Sequence, residues 1–305
     1  MKKLKRLLDL GRDRDRLPEA GLKGQRHGWI FRLGFLWKKA KGDMGKVILT
    51  VLGSGSRGNS LHLEHGGQAL LVDAGLSAKQ LEARMAEAGA HEAELLGIIL
   101  THEHGDHTAG LKTFVKKRKC PIFASHGTKD VLEAEVATAD WRGFEAGQHL
   151  EVGCFSIETF PVPHDAAEPI GMRVTVGKTK VGLISDLGFV TRLVVERLKG
   201  CTALVLEANY DEAMLRTEEK RPWSVKQRIS ARHGHLSNGA AAKLVEEVAG
   251  PELRDLLLGH ISEDCNRPEI ARRAIEGALE KAGRKGVRVH ETCAGRVGQR
   301  IEIEA

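Results

Sequence analysis

The sequence has few cysteines, no pattern among them, and no long apolar run. Five cysteines in 305 residues are scattered, odd in number, and form no Cys-x-x-Cys pair. This distribution argues against a disulfide framework and a zinc–cysteine site, and it favours a reducing compartment, so we expect a cytoplasmic protein. No apolar run approaches the roughly 18 residues that a membrane span needs, so we expect no stable membrane association.

The basic excess of the chain is confined to its first 43 residues. Residues 1–43 contain 13 Lys or Arg and five Asp or Glu, a net charge of +8, which leaves 34 basic and 36 acidic residues in the remainder. The apolar stretch Trp29–Trp37 is interrupted by Arg32 and Gly34, and it is too broken for a secretory signal. We expect residues 1–43 to be a disordered tail, or sequence upstream of a true start at Met44. The alternative is a basic, aromatic arm that contacts phosphates or an anionic membrane surface.

A cluster of metal-ligand side chains follows the apolar segment Leu95–Leu100, which is typical of a buried strand. His102, His104, Asp106 and His107 fall within the run Thr-His-Glu-His-Gly-Asp-His. Imidazole nitrogens and carboxylate oxygens are the donors that zinc and similar divalent metals prefer. Alternate residues on a loop that leaves a strand can point to one side, which pairs His102 with His104 and leaves Asp106 and His107 for a second ion.

Strands and helices follow one another with short connections from Lys46 to the C-terminus. Val47–Leu52 is predicted to be the first strand, Ser77–Ala88 a helix with Ser77 as its N-cap, and Pro268–Ala282 a long helix capped by Asn266. Two strand-rich halves, each with helices, predict sheets packed face to face with helices outside. We therefore expect residues 44–305 to form one α/β domain.

The order of the motifs resembles that of the metallo-β-lactamase fold superfamily. Its members place metal ligands at strand ends, along one edge of a four-layer αβ/βα sandwich. Asp73 in Val-Asp-Ala-Gly resembles the first motif, which usually supports the site through hydrogen bonds; a helix N-cap or turn role is the alternative. The histidine-rich run is the second motif. His164, Asp186 and His260 match the third, fourth and fifth, and each follows an apolar, strand-like segment.

The resemblance implies two divalent metal ions, zinc or manganese. One ion would be bound by His102, His104, His164 and Asp186, and the other by Asp106, His107, His260 and Asp186. A carboxylate shared between cations roughly 3.5–4 Å apart offsets their repulsion. The di-iron reductases of the superfamily carry Glu at the position of His104, so the motif excludes that branch.

A glutamate and a histidine in the second half of the chain indicate the type of reaction. Glu207 follows a predicted strand, and His235 precedes a predicted helix. Ribonuclease Z and related phosphodiesterases carry a similar pair, in which the carboxylate orients a histidine that stabilises or protonates the departing oxygen. A leaving alkoxide needs a proton, so the pair suits phosphodiester cleavage. We predict catalytic roles for Glu207, His235 and Asp106, with helix capping or packing as the alternative for His235.

The spacing of the motifs excludes two branches of the superfamily. His164 and Asp186 are 22 positions apart, too few for the tRNA-binding arm of ribonuclease Z, and Asp186 and His260 are 74 apart, which leaves no room for the extra domain of the ribonuclease J branch. The complete motif set is similar to that of the bacterial YycJ/WalJ family. This implies a metal-dependent nuclease, most simply a 5′ to 3′ DNA exonuclease with a possible role in DNA repair. The alternatives are a hydrolase of a small ester, lactone or cyclic phosphodiester, and a metal-bound protein that has lost turnover.

Two further features bear on nucleic-acid binding. The glycine- and serine-rich loop Gly53–Ser60 is suited either to phosphate contact through backbone N–H groups or to a tight turn between strands. Basic residues cluster in Lys116–Lys119 and, further on, at Arg216, Lys220, Arg221, Lys226 and Arg228. Either cluster could guide a nucleic-acid backbone, with a solvated face as the alternative.

Overall fold

Two seven-stranded β-sheets carry the described part of the chain. The computed structural model describes residues 45–293 and 295–305, so the predicted N-terminal extension lies outside the described residues. The strands of the first sheet are β1 (Lys46–Gly53), β2 (Ser60–His65), β3 (Gln68–Val72), β4 (Glu94–Ile99), β5 (Ile122–Ser125), β6 (Trp141–Phe144) and β14 (Arg300–Glu304). Those of the second are β7 (His149–Val152), β8 (Phe155–Pro161), β9 (Ile170–Val176), β10 (Thr179–Ile184), β11 (Ala203–Glu207), β12 (Asp255–Gly259) and β13 (Arg288–Glu291).

Helices connect the strands and cover the outer faces of both sheets. They are α1 (Ala78–Glu87), α2 (Gly105–Thr108), α3 (Leu111–Arg118), α4 (His126–Leu132), α5 (Arg192–Leu198), α6 (Glu212–Thr217), α7 (Trp223–Ser230), α8 (Asn238–Val248) and α9 (Pro268–Lys281). Among the described residues, no helix combines the length and the apolar character that a membrane span requires.

The predicted N-caps have different outcomes. Ser77 caps α1, because its hydroxyl accepts a hydrogen bond from the backbone N–H of Gln80 at 3.3 Å, so that prediction is confirmed. The predicted cap of α9 is wrong, because the cap position is Arg267 and no side chain caps it. Asn266 instead is buried, and its amide donates to the carbonyl of Ala208 at 2.9 Å.

Three apolar layers hold the sheets and helices together. The strand order is β14-β1-β2-β3-β4-β5-β6 in one sheet and β13-β12-β11-β10-β9-β8-β7 in the other. Inward side chains such as Leu63 and Phe155 form the central layer between the sheets. The outer layers pack Leu81 and Phe114 of α1 and α3 on the first sheet, and helices α5, α8 and α9 on the second. The predicted αβ/βα sandwich is confirmed.

The carboxyl ends of parallel strands meet at one edge of the sandwich. Strand β3 runs parallel to β4, and β10, β11 and β12 run parallel to one another. Four non-glycine residues of the described chain have a left-handed backbone, namely Lys119 and three residues that directly or closely follow β3, β10 and β12. These three are Asp73 (φ 61°), Asp186 (φ 54°) and His260 (φ 53°). A left-handed backbone is uncommon for residues other than glycine and is concentrated at functional sites. This edge of the sandwich is therefore a candidate functional site.

Candidate metal centre

The histidine-rich run leaves β4 and turns directly into the short helix α2. His104 is the residue before α2, and Asp106 and His107 lie within it. The loop packs so closely on the chain after β3 that a Cβ at Gly75 would lie 1.6 Å from the carbonyl oxygen of Asp106. Backbone hydrogen bonds fix this contact, including one of 2.8 Å from the N–H of Ala74 to the carbonyl of His107. The glycine is thus required by the close approach of the two loops.

Three histidines form the first donor cluster. His102, His104 and His164 offer ring nitrogens that all lie within 4.8 Å of one another. The ring centroid of His102 is 4.6 Å from that of His104 and 5.0 Å from that of His164. The carbonyl of Gly234 lies 3.0 Å from Nδ1 of His164 and orients that ring. Nε2 of His102 is buried and has no hydrogen-bond partner among the described residues, and an unpaired ring nitrogen in such a polar cluster is suited to bind a cation.

A second donor cluster lies beside the first. Asp106, His107 and His260 also have donor atoms within 4.8 Å of one another, and Nε2 of His260 is 3.3 Å from Oδ2 of Asp106. Asp186 lies between the clusters: its Oδ2 is 3.0 Å from Nε2 of His107, and its Oδ1 is 3.9 Å from Nε2 of His164. The structure therefore brings together all seven residues that the sequence assigns to metal binding, with the predicted shared carboxylate in the middle.

The electrostatics of the two donor clusters favour a bound positive charge. Burial alone would raise the pKa of Asp186, but the positive charges of His260 and His107 hold it well below its usual value. Burial likewise opposes protonation of His107, yet Asp186 and Asp73 raise its pKa to about 10. The pKa of His260 is raised well above its usual value, against its burial and chiefly by Asp186. A divalent cation would supply the charge that protons otherwise provide here, and these nitrogen and oxygen donors fit one.

Asp73 supports the centre from behind. Its Oδ1 accepts from the N–H of Thr101 at 2.8 Å, and its Oδ2 accepts from the hydroxyl of Thr101 at 2.8 Å and lies 2.7 Å from Nδ1 of His107. Such a carboxylate fixes the histidine ring and leaves Nε2 for the ion. Asp73 caps no helix, since the first helix after it is capped by Ser77. Thr101 was missed by sequence reasoning, although it directly precedes the histidine-rich run.

Glu207 is buried at the end of β11 and links two histidines. Its Oε1 lies 2.7 Å from Nδ1 of His235 and 2.9 Å from Nδ1 of His260. Its Oε2 accepts from the backbone N–H groups of Leu187 at 2.9 Å and Leu236 at 3.3 Å. The sequence predicts the pairing with His235 but not the contact with His260, so Glu207 orients a predicted metal ligand as well as the predicted acid.

His235 lies at the rim of the centre and does not cap the following helix. Ser237 is the N-cap of α8, and its hydroxyl accepts from the N–H of Ala240. Burial lowers the pKa of His235, but the carboxylates of Glu207 and Asp186 raise it overall. Because Nδ1 faces Glu207, Nε2 is the ring nitrogen left for a substrate.

The Gly53–Ser60 loop is a scaffold for the centre. The hydroxyl of Ser54 accepts from the backbone N–H of His260 at 2.7 Å, and Nδ2 of Asn59 donates to Oδ2 of Asp106 at 3.1 Å. The hydroxyl of Ser60 donates to the carbonyl of Asp73 at 2.8 Å. These polar side chains face predicted metal-centre residues, a role that the sequence did not predict for the loop. Ser56 alone among the loop residues lines the cavity described next.

A cavity of about 400 Å³ opens onto the centre. One wall is formed by predicted metal and catalytic residues: His104, Asp106, His164, Asp186, His235 and His260. Residues of α7 and of the segment before it also line the cavity, namely Arg221, Val225, Arg228 and Ile229. The volume suits the reacting part of a substrate and not a whole polymer.

Comparison with known proteins agrees with this geometry. The family described as "Beta-lactamase superfamily domain" matches residues 68–261. The chain is 37% identical over 237 residues to the exodeoxyribonuclease YycJ of Bacillus anthracis, a match covering 77% of this chain and 89% of that protein. It is 33% identical over 238 residues to the exodeoxyribonuclease WalJ of Streptococcus pneumoniae, covering 76% and 88%. The chain belongs to the metallo-β-lactamase superfamily, in its YycJ/WalJ-like family.

A solved structure shows the same fold at low sequence identity. The metallo-β-lactamase fold protein YhfI of Bacillus subtilis aligns with a TM-score of 0.65 and 19% identity, covering 85% of this chain and 100% of that one. The family resemblance inferred from the motifs is confirmed. The family and the donor clusters together make the chain a metal-dependent hydrolase, as the sequence predicts.

Proposed function

We propose that this protein is a nuclease that cleaves phosphodiester bonds with two divalent metal ions, zinc or manganese, and that its substrate is DNA. The observation that carries the proposal is the convergence of two donor clusters and the Glu207–His235 pair on one cavity. A metal centre alone suits many hydrolases. A histidine with a fixed carboxylate partner beside that centre favours a reaction whose leaving oxygen needs a proton.

The ligand sets of the proposal follow the two clusters. One ion is assigned to His102, His104, His164 and Asp186, and the other to Asp106, His107, His260 and Asp186. Bound there, the ions would stabilise the charge that accumulates on the phosphoryl oxygens and lower the pKa of a water molecule. Asp106 is also assigned a catalytic role, because it lies both in a donor cluster and on the cavity wall.

His235 is proposed to protonate the departing oxygen. Glu207 fixes Nδ1 of the ring, which leaves Nε2 toward the substrate side. Glu207 contributes indirectly, since it is fully buried and touches the reacting groups only through His235 and His260. A general acid held in one orientation typically contributes about 10²- to 10⁴-fold to the rate.

DNA, exonucleolytic action and a 5′ to 3′ direction are the finer parts of the proposal. DNA as the substrate and exonucleolytic action are supported by two relatives named exodeoxyribonuclease, each aligned over most of its length. The 5′ to 3′ direction is proposed on the family resemblance alone. A role in DNA repair and a cytoplasmic location are proposed on the same family resemblance and on the scattered cysteines.

The test is cleavage of single- and double-stranded DNA and RNA, each labelled at its 5′ or its 3′ end, with zinc or manganese. A 5′ to 3′ DNA exonuclease would release the 5′ label as a short product at the earliest times and shorten the 3′-labelled strand progressively. His104→Ala should abolish cleavage, because His104 belongs to the first donor cluster.

His235→Ala separates chemistry from metal binding. This variant should keep its metal content and lose about 10²-fold or more in kcat, because the general acid is removed. Loss of metal in His235→Ala would show that its role is misassigned. Hydrolysis of bis(p-nitrophenyl) phosphate without cleavage of any polymer would replace the nuclease by a small-phosphodiester hydrolase.

A further inference from the structure

Two arginines line the cavity that opens onto the metal centre. Arg221 stands just before α7, and Arg228 lies in the last turn of that helix. Both line the cavity together with His104 and Asp186. Their side chains are 33% and 69% exposed, respectively, so both are accessible from solvent.

Each arginine is oriented by a carboxylate from a loop that carries a predicted metal ligand. Nε of Arg228 donates to Oδ2 of Asp165 at 2.6 Å, and Asp165 directly follows a ligand of the first cluster. Nη2 of Arg221 donates to Oδ2 of Asp264 at 2.9 Å, in the loop after β12. Nε of Arg221 is buried and has no hydrogen-bond partner among the described residues. Because a guanidinium has five N–H donors, one carboxylate leaves both groups with capacity to bind an anion.

The other basic residues of the two predicted clusters do not line this cavity. Lys226 is buried, and its Nζ donates to the backbone carbonyls of Arg216 (at 3.2 Å) and Glu218, so its predicted place in a nucleic-acid-binding cluster is wrong. Lys116 and Lys119 line a different cavity, beside Cys120. Of the two predicted basic clusters, only Arg221 and Arg228 line the cavity of the metal centre.

The net charge of residues 44–305 makes these two arginines important for attracting a polyanion. Residues 44–305 contain slightly more acidic than basic side chains, so no general positive field attracts a polyanion. A cavity of about 400 Å³ accepts the reacting part of a polynucleotide, and the adjoining nucleotides must leave through its mouth. Guanidinium groups bind phosphate oxygens in a bidentate manner, which suits them to the phosphates that lie there.

We propose that Arg221 and Arg228 bind phosphates next to the scissile bond, and that they make the enzyme selective for a polynucleotide over an isolated phosphodiester. This inference rests on the proposed nuclease function and adds to it the residues that recognise the chain. The competing explanation is that the two ion pairs only attach α7 to the metal-site loops.

The pair of Arg221 and Asp264 separates these explanations by the sign of the effect. If the pair is only an attachment, removing either partner loosens α7, and both variants weaken DNA binding. If Arg221 binds phosphate, Arg221→Gln weakens DNA binding while Asp264→Asn preserves or strengthens it, because a negative charge is removed and Arg221 is released for substrate.

The experiment compares two substrates on the metal-loaded, full-length protein. Arg221→Gln and Arg228→Gln should each raise the KM for a labelled oligodeoxynucleotide about tenfold, and each should reduce the slope of log affinity against log salt by roughly 0.7 to 0.9. The kcat/KM for bis(p-nitrophenyl) phosphate should stay within about twofold. Arg142→Gln is the matched control, since Arg142 is also an exposed arginine paired with a carboxylate, Asp140 at 2.9 Å, but lies on β6 outside the cavity.

Two results would overturn the inference while leaving the nuclease function intact. One is an equal loss on the polymer and on the small substrate; the other is a loss of DNA binding in Asp264→Asn as large as that in Arg221→Gln. A wild-type protein that hydrolyses bis(p-nitrophenyl) phosphate and cleaves no nucleic acid would overturn the proposed function, and this inference with it.

Discussion

Protonation of His62 should destabilise the fold in mild acid. His62 lies in the middle of β2, opposite Thr50 on β1 and Leu71 on β3, and it is completely buried. Neither of its ring nitrogens has a hydrogen-bond partner among the described residues. Burial, and then the positive charge of Arg300, lowers its pKa from 6.5 to about 4.

The size of the effect follows from the difference between the folded and unfolded pKa. Between pH 6.5 and about 4, the unfolded chain carries a proton on His62 that the folded chain does not bind. The free energy of unfolding therefore falls as the pH falls through this window and is unaffected above it. At about 1.4 kcal/mol per pKa unit, the full loss is roughly 3 kcal/mol, and about 2 kcal/mol is already lost at pH 5.

The assay is urea unfolding of wild type and His62→Leu between pH 5 and pH 8, with a chelator present so that metal release affects both proteins equally. Leucine cannot titrate, so His62→Leu should gain about 2 kcal/mol relative to wild type on going from pH 8 to pH 5. His62→Gln should show the same pH dependence as His62→Leu, and its free energy of unfolding should differ from that of His62→Leu by a constant amount. A difference between wild type and variant that is flat across this range would refute the assignment of a buried, neutral, unpartnered histidine.

The remaining predictions concern the supports of the metal centre and of the second sheet. Asn59→Ala should weaken zinc binding about 10- to 100-fold in a chelator competition, because its amide donates to Oδ2 of Asp106; unchanged affinity would mean that the loop does not position this carboxylate. Gly75→Ala should destabilise the protein by about 3 kcal/mol or more in thermal unfolding, since the new Cβ would lie 1.6 Å from a backbone oxygen, whereas Gly105→Ala, with no atom within 4 Å, should stay within about 0.5 kcal/mol of wild type. Asp255→Asn should cost roughly 2 kcal/mol at pH 7, because the buried carboxylate accepts two hydrogen bonds of 2.8 Å from Arg288 and one of 2.7 Å from His290. Burial raises the pKa of Asp255, but these bonds lower it overall, so the deficit of the variant should persist at neutral pH and shrink as the pH falls below 3.8; a variant as stable as wild type at pH 7 would contradict this account.

The sequence predicted features that lie within a short stretch of the chain, and it missed contacts between distant segments. The run from His102 to His107 is informative because four ligand residues, three histidines and one aspartate, lie within six positions. The apolar segments before His164, Asp186 and His260 predicted that these residues share one edge. The contact between Ser54 and the N–H of His260 joins residues 206 positions apart, and no local pattern announces it. The sequence does not distinguish the roles of the basic residues between positions 216 and 228. Only the packing of α7 shows that Arg221 and Arg228 line the cavity whereas Lys226 is buried.

The left-handed residues explain how the fold prepares this centre. Asp73, Asp186 and His260 leave their strands in a conformation that costs about 1 kcal/mol or more for a side chain with a Cβ, and such strain persists only where the surroundings enforce it. Here the ladders of β3, β10 and β12 hold one side of each residue. Polar contacts hold the other side: the N–H of Thr101 donates to Oδ1 of Asp73, the N–H of His260 donates to the hydroxyl of Ser54, and Oδ2 of Asp186 lies 3.0 Å from Nε2 of His107. Because packing and hydrogen bonds already fix these conformations, the donor atoms are brought together by the folded chain itself, and an ion adds its binding energy to a centre that is largely formed.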